Sequence, residues 1–85
     1  MGGSLMTVEL LFSRHIAAWV KGRMWHASQE LSDFTDGQLR MRLQVPHNAG
    51  LVAWILSFGA DVKVVSPMRL RTAVQEVAKH IAESE

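Results

Sequence analysis

Eighty-five residues, 48% of them hydrophobic, with 9 Lys+Arg against 8 Asp+Glu and no cysteine, describe one small domain with an ordinary core and almost no net charge. A chain of this length buries roughly 60–65% of its unfolded surface and is stabilised by on the order of 4–13 kcal/mol, so it has one core and no second domain. The lack of cysteine excludes a disulfide framework, a thiolate metal site and a cysteine nucleophile, and a formal charge of +1 excludes nucleic-acid binding by the whole surface, leaving only local clusters of charge to do it.

Residues 1–6 read as a flexible, linker-like leader of the kind that cloning adds, and residues 7–85 as the domain. The leader lacks a basic region followed by an apolar one, and Met6 stands where a myristoylation motif wants Ser or Thr. The longest apolar run, residues 51–60, is interrupted by Ser57 and Gly59 and falls far short of the ~20 residues needed to span a bilayer. The chain is therefore expected in the cytoplasm, without membrane contact.

Residues 7–12, Thr-Val-Glu-Leu-Leu-Phe, are β-branched and apolar and predict a strand. The Ser13 hydroxyl is placed to cap a short helix in which Ile16, Trp19 and Val20 fall at i, i+3, i+4 and Gly22 supplies the stop. Residues 25–31 and 39–45 flank Asp36-Gly37, a pair that tolerates the positive φ of a tight hairpin turn. The second run alternates, with Leu39, Met41, Leu43 and Val45 on one face and Arg40, Arg42 and Gln44 on the other. A two-residue turn sets Phe34 opposite Leu39, so even-numbered residues of the first strand face the core, yet Trp25, Ala27 and Leu31 are odd. That conflict predicts a β-bulge or break near Ser32-Asp33.

Pro46 closes the hairpin, and Asn48 caps a helix carrying Leu51, Trp54, Ile55 and Phe58 on one stripe, ended by Gly59. Residues 62–65 form a short strand with Lys63 its only polar residue, and Ser66-Pro67 starts a last helix with proline at its first position. This helix is expected to bury Leu70, Ala73, Val74, Val77 and Ile81, and to fray where Glu83 and Glu85 meet its negative end. The order is the split β-α-β-β-α-β pattern with an appended helix: an α+β, ferredoxin-like sandwich whose four-stranded antiparallel sheet carries its first two helices on one face. The other face is left to solvent, the last helix or a partner.

His15, His26, His47 and His80 are 11, 21 and 33 positions apart, no pair having the i, i+4 spacing of a helical metal site, so no metal and no cofactor are expected. His26 is assigned to a strand. No Gly-rich phosphate loop is present, and carboxylates pair more naturally with arginine across strands, Asp33 with Arg40 or Glu30 with Arg42, than with one another for acid–base work. No catalytic residue is assigned. Trp19, Trp54 and Phe58 lie on helical stripes and read as core, not as a base-stacking platform. Two groups of cations stand out: Arg40 and Arg42 on one strand face, joined by Lys63, and Arg69 and Arg71 at the start of the last helix. The first is either a solvated face ion-paired to Glu9, Glu30 and Asp33 or a fork for phosphate or carboxylate, and the second either tolerated surface charge flanking Leu70 or an anion site.

Residues 51–71 closely resemble the C-terminal extension, or WCX module, of bacterial WYL-domain transcriptional regulators. The motifs agree in order: Trp25-His26 with Ser28-Gln29, the Asp36-Gly37 turn, Trp54-Ile55-Leu56 with Phe58-Gly59, Val64 with Pro67, and Leu70-Arg71. The resemblance spans about residues 8–81 and departs at Ala27, where the family commonly has proline. It implies a parent with a DNA-binding winged helix-turn-helix and a ligand-sensing WYL domain, in some members taking nucleic acid as effector. The extension itself then serves homodimerisation and signal coupling. Since the DNA-reading helix and the WYL triplet are not in these residues, no functional residue carries over. The expected function is a non-enzymatic regulatory module. The rivals are direct contact with single-stranded nucleic acid or an anion through Arg40, Arg42, Arg69 and Arg71, and a small-molecule-binding or acyl-phosphate-type enzyme, for which a deep pocket holding Arg with Asn or His is the diagnostic.

Overall fold

The structure, a computed structural model, describes residues 4–34 and 36–83. The reading of residues 1–3 as a leader, and of Glu85 at a fraying end, lies outside them. Strand β1 (Leu5–Phe12) opens the chain, followed by helix α1 (Ala17–Lys21) and strands β2 (Glu30–Asp33) and β3 (Leu39–Pro46). Helix α2 (Ala49–Leu56), a 3-10 turn (Gly59–Asp61), strand β4 (Val62–Ser66) and helix α3 (Met68–Glu83) complete it. The four strands form one antiparallel sheet in the order β2-β3-β1-β4, an α+β architecture.

Alternation fixes the faces. Met6, Val8, Leu10 and Phe12 of β1 pair with Val45, Leu43, Met41 and Leu39 of β3, all eight buried, while the intervening side chains point to the open face. The strand starts two residues before the sequence suggests: Leu5 and Met6 belong to it, and Met6 is core, because the period-2 pattern continues one step further back than its β-branched stretch.

All three helices cover the same face. Val20 of α1, Val52 and Ile55 of α2 and Leu70 of α3 join one cluster with the strand residues and Phe58. Burying each such side chain stabilises by about 1.5–3 kcal/mol. Among the described residues, the second face of the sheet thus carries no helix.

Three local expectations need correction. Ser13 does not cap α1: its hydroxyl donates to the Asp61 carboxylate (2.7 Å) and its N–H to the Asp61 carbonyl (2.9 Å), tying the end of β1 to the 3-10 turn. α1 begins behind Ile16 with no side-chain cap. The first hairpin strand is only residues 30–33, since residues 22–29 form a loop, and His26 lies in that loop. The parity conflict is resolved by the turn, not by a bulge near Ser32-Asp33. Asp33 sits opposite Leu39, and residues 34–38 connect them, with the Phe34 N–H donating to the Gln38 carbonyl (2.9 Å) and Gly37 at φ +89°. Leu31 then falls opposite Met41, on the core face. The sheet's one irregular step among the described residues is on edge strand β4, where Val64 faces Leu10, Ser66 faces Glu9 and Val65 is the extra residue.

The Asn48 cap holds: its side chain accepts from the Leu51 N–H (2.8 Å), worth about 1 kcal/mol. Gly59 does not end α2: the helix stops at Leu56 with Ser57 as its C-cap, Phe58 lies beyond it, and Gly59, at a positive φ of 60°, opens the 3-10 turn. The Ser66–Pro67 peptide is cis, and the Pro67 carbonyl accepts from Leu70 and Arg71, so Pro67 stands just before α3, not inside it. On α3, Leu70 is fully buried and Ala73 and Val74 pack against the core. Val77 and Ile81, expected to be buried, are 39% and 62% exposed, since the core contacts of α3 end at Val74.

Candidate functional site

The strand register builds two rows across the open face. Ser32, Arg40, Leu11 and Lys63 form one; Glu30, Arg42, Glu9 and Ser66 form the next. Glu9 is the hub: its carboxylate oxygens accept from Arg40 Nη2 (2.5 Å) and Arg42 Nη2 (3.3 Å), and Glu30 stands 3.9 Å from Arg42 Nη1. The hydrogen bond from Arg40 is the main reason its carboxyl is held below the ordinary glutamate range, with desolvation opposing and Arg42 reinforcing. Asp33 does not face Arg40. It lies opposite Leu39 and takes the Lys21 ammonium at 2.7 and 3.0 Å.

The five candidate cations do not converge. Arg40 and Arg42 share Glu9; Arg69, on α3, directs Nη2 to the Met6 sulfur (3.4 Å). Lys63 and Arg71 meet elsewhere, on the rim of a groove of ≈ 280 Å³ whose floor is Ile55, Val62, Val64 and Val74.

The tryptophans build a second feature. Trp25, from the 22–29 loop, packs its ring 5.2 Å from Trp19, 5.8 Å from Trp54 and 5.7 Å from Phe58, and its indole N–H donates to the Val20 carbonyl (2.9 Å). The Trp25–Phe58 pair is edge-to-face, a geometry that adds about 0.5–1.5 kcal/mol, while the two Trp–Trp pairs are tilted. Only Phe58 among the helical-stripe aromatics is fully core: Trp54 is half-buried, and Trp19 is 49% exposed with the Arg23 guanidinium 4.4 Å above its ring.

Gln29 holds this loop in shape. Its side-chain oxygen accepts from the N–H groups of Trp25 (2.6 Å) and His26 (3.2 Å), and its amide donates to the Arg23 carbonyl (3.1 Å). Ser28 pins the loop to β3: its hydroxyl oxygen accepts from the Gln44 N–H (3.0 Å) and contacts His26 Nδ1 (2.7 Å). The Trp-His-x-Ser-Gln stretch is thus a structural clasp, a role that composition and periodicity do not reveal. Between this loop, the end of β3 and the start of α2 opens a cleft of ≈ 290 Å³ walled by Trp25, Trp54, Leu43, Val45 and Leu51. His26 and Asn48 are its polar side chains, with no arginine beside them.

His15, His47 and His80 are exposed, and no group of three or more His, Cys, Asp or Glu able to hold a metal occurs among the described residues. No helix among them is long and apolar enough to cross a membrane. No curated protein matches the sequence. The WCX domain profile matches residues 4–82, nearly every residue described above. The chain therefore belongs to the WCX domain family, the C-terminal modules of WYL-type transcriptional regulators.

Proposed function

We propose that this WCX module works without catalysis, in the cytoplasm of a bacterium, as the part of a transcriptional regulator that self-associates and couples effector binding at a WYL domain to DNA binding by a winged helix-turn-helix. The observation that carries the reading is the apolar stripe of α3. Leu70, Ala73 and Val74 use it against the core, Val74 also lining the groove with Ile55, Val62 and Val64, and the same spacing continues through Val77 and Ile81, which are exposed. A contiguous apolar surface of this kind marks an interaction site. A second copy is the natural occupant: two-fold pairing sets one stripe against the other and closes the interface on itself. The element order of the first six elements supports a ferredoxin-like sandwich, with α3 appended as the association element.

In a regulator carrying this module, deleting it is expected to abolish dimerisation and effector response together while leaving the winged helix folded. Size measurement by light scattering and effector-dependent DNA binding read the two outcomes. A deletion that leaves both unchanged overturns the proposal.

A further inference from the structure

The cleft between the 22–29 loop and α2 shares no lining residue with the α3 groove, and its chemistry is one-sided. Its walls are the rings of Trp25 and Trp54 and the aliphatic side chains of Leu43, Val45 and Leu51. At ≈ 290 Å³ it stands at the lower end of the range for ligand sites, about 300–1,000 Å³, which suits a molecule of one or two rings.

Every polar side-chain group available on its lining is a donor. The Ser28 backbone N–H lies 3.1 Å from His26 Nδ1. A backbone N–H only donates, so Nδ1 is the acceptor, the neutral imidazole carries its proton on Nε2, and the nitrogen left for a ligand is an N–H donor. The same logic applies to Asn48: its oxygen accepts from the Leu51 N–H (2.8 Å), which leaves the amide NH₂ as its donor to a ligand. No carboxylate lines the cleft, and Asn48 marks the start of α2, where the helix dipole favours negative charge.

We propose that this cleft is a binding site for a planar aromatic carboxylate, its ring against Trp25 and Trp54 and its carboxylate accepting from His26 Nε2–H and the Asn48 amide. The inference goes beyond self-association and does not depend on it. A free aromatic acid and the C-terminal carboxylate of a peptide ending in an aromatic residue present the same chemistry, so both are probed.

The test is an NMR titration of the whole chain, following the three indole N–H resonances, with 2-naphthoate, its neutral amide, the 2-naphthylmethylammonium cation and a short peptide ending in tryptophan. Saturable shifts of the Trp25 and Trp54 resonances with the acid are expected, about tenfold weaker binding of the amide, and none of the cation, since charge-assisted hydrogen bonds are the stronger ones. Binding of the peptide as tightly as the acid assigns the source to a protein terminus; binding of the acid alone assigns it to a metabolite. Asn48→Asp and Asn48→Ser both keep the helix cap and remove the amide donor. Each is expected to weaken the acid about tenfold or more, Asp most, with an unchanged circular dichroism spectrum. Equal shifts with acid, amide and cation, no saturation at millimolar acid, or unaltered binding by both variants overturns the proposal.

Discussion

Replacing Gln29 with alanine tests whether the Trp-His-x-Ser-Gln loop is held by that one side chain. The substitution removes three hydrogen bonds: the two accepted from Trp25 and His26, at 2.6 and 3.2 Å, and the one donated to the Arg23 carbonyl, at 3.1 Å. At about 0.5–1.5 kcal/mol each, the set is worth at most about 4.5 kcal/mol. The bonds to His26 and Arg23 are exposed and water replaces them readily, whereas the Trp25 N–H is partly buried and its loss sits near the upper limit. The expected loss is about 2 kcal/mol, or roughly 8–16 °C in midpoint for a domain of this size. Gln29→Glu is the control: its carboxylate still accepts both N–H groups, while its second oxygen meets the exposed Arg23 carbonyl without a hydrogen to donate and turns to solvent, so it should cost less than alanine. Urea denaturation followed by tryptophan fluorescence and by far-UV circular dichroism measures both. A loss below about 0.5 kcal/mol for alanine, or equal losses for the two variants, would refute the clasp.

Other outcomes follow from the same structure. Because Glu9 ionises below the ordinary glutamate range when folded, its contribution to stability is present above that range and is lost as the pH falls through the folded pKa. Glu9→Gln should therefore flatten the acid limb of the stability profile, and equal limbs for the two proteins contradict the hub role. Leu70→Ala should cost about 2–5 kcal/mol by urea denaturation, against about 0.5 kcal/mol or less for Val77→Ala, which places the edge of the core one to two turns into α3. Gly37→Ala should destabilise by at least about 1 kcal/mol, since φ is +89° and the new Cβ would lie 3.2 Å from the Arg14 Cβ. At Gly22, with φ −78° and the nearest atom at 3.6 Å, the same change should be neutral or stabilise by up to about 1 kcal/mol.

Much of the fold was legible because single residues decide it. The alternation of residues 39–45 gives β3 and its faces, and Asn48 marks where α2 starts. The first half of the hairpin was not legible for a physical reason. Asp36-Gly37 permits both a two-residue turn and the longer loop found here, and the choice reverses every side chain of the strand before it. Trp25 then read as a strand residue, although its N–H belongs to Gln29 and its ring to Trp19, Trp54 and Phe58. The burial of Val77 and Ile81 failed for another reason: an apolar stripe shows that a helix has a face to cover, not how far along it the core reaches. The arginines were legible as residues of the open face with Glu9 and Glu30 among their ion partners, whereas Asp33, also expected there, faces Leu39 and pairs with Lys21, since the pairing register decides which residues meet. The cleft depended on how the 22–29 loop closes, which tertiary hydrogen bonds set.

The central claim is that the exposed stripe of α3 joins two copies of the module. Sedimentation equilibrium of the chain across micromolar concentrations, beside the double variant Val77→Glu/Ile81→Glu, tests it most directly. Both positions are exposed, so the variant should keep the circular dichroism and urea midpoint of the parent. The account predicts a dimer for the parent and a monomer for the variant; a parent that stays monomeric, or a variant that dimerises equally well, contradicts it.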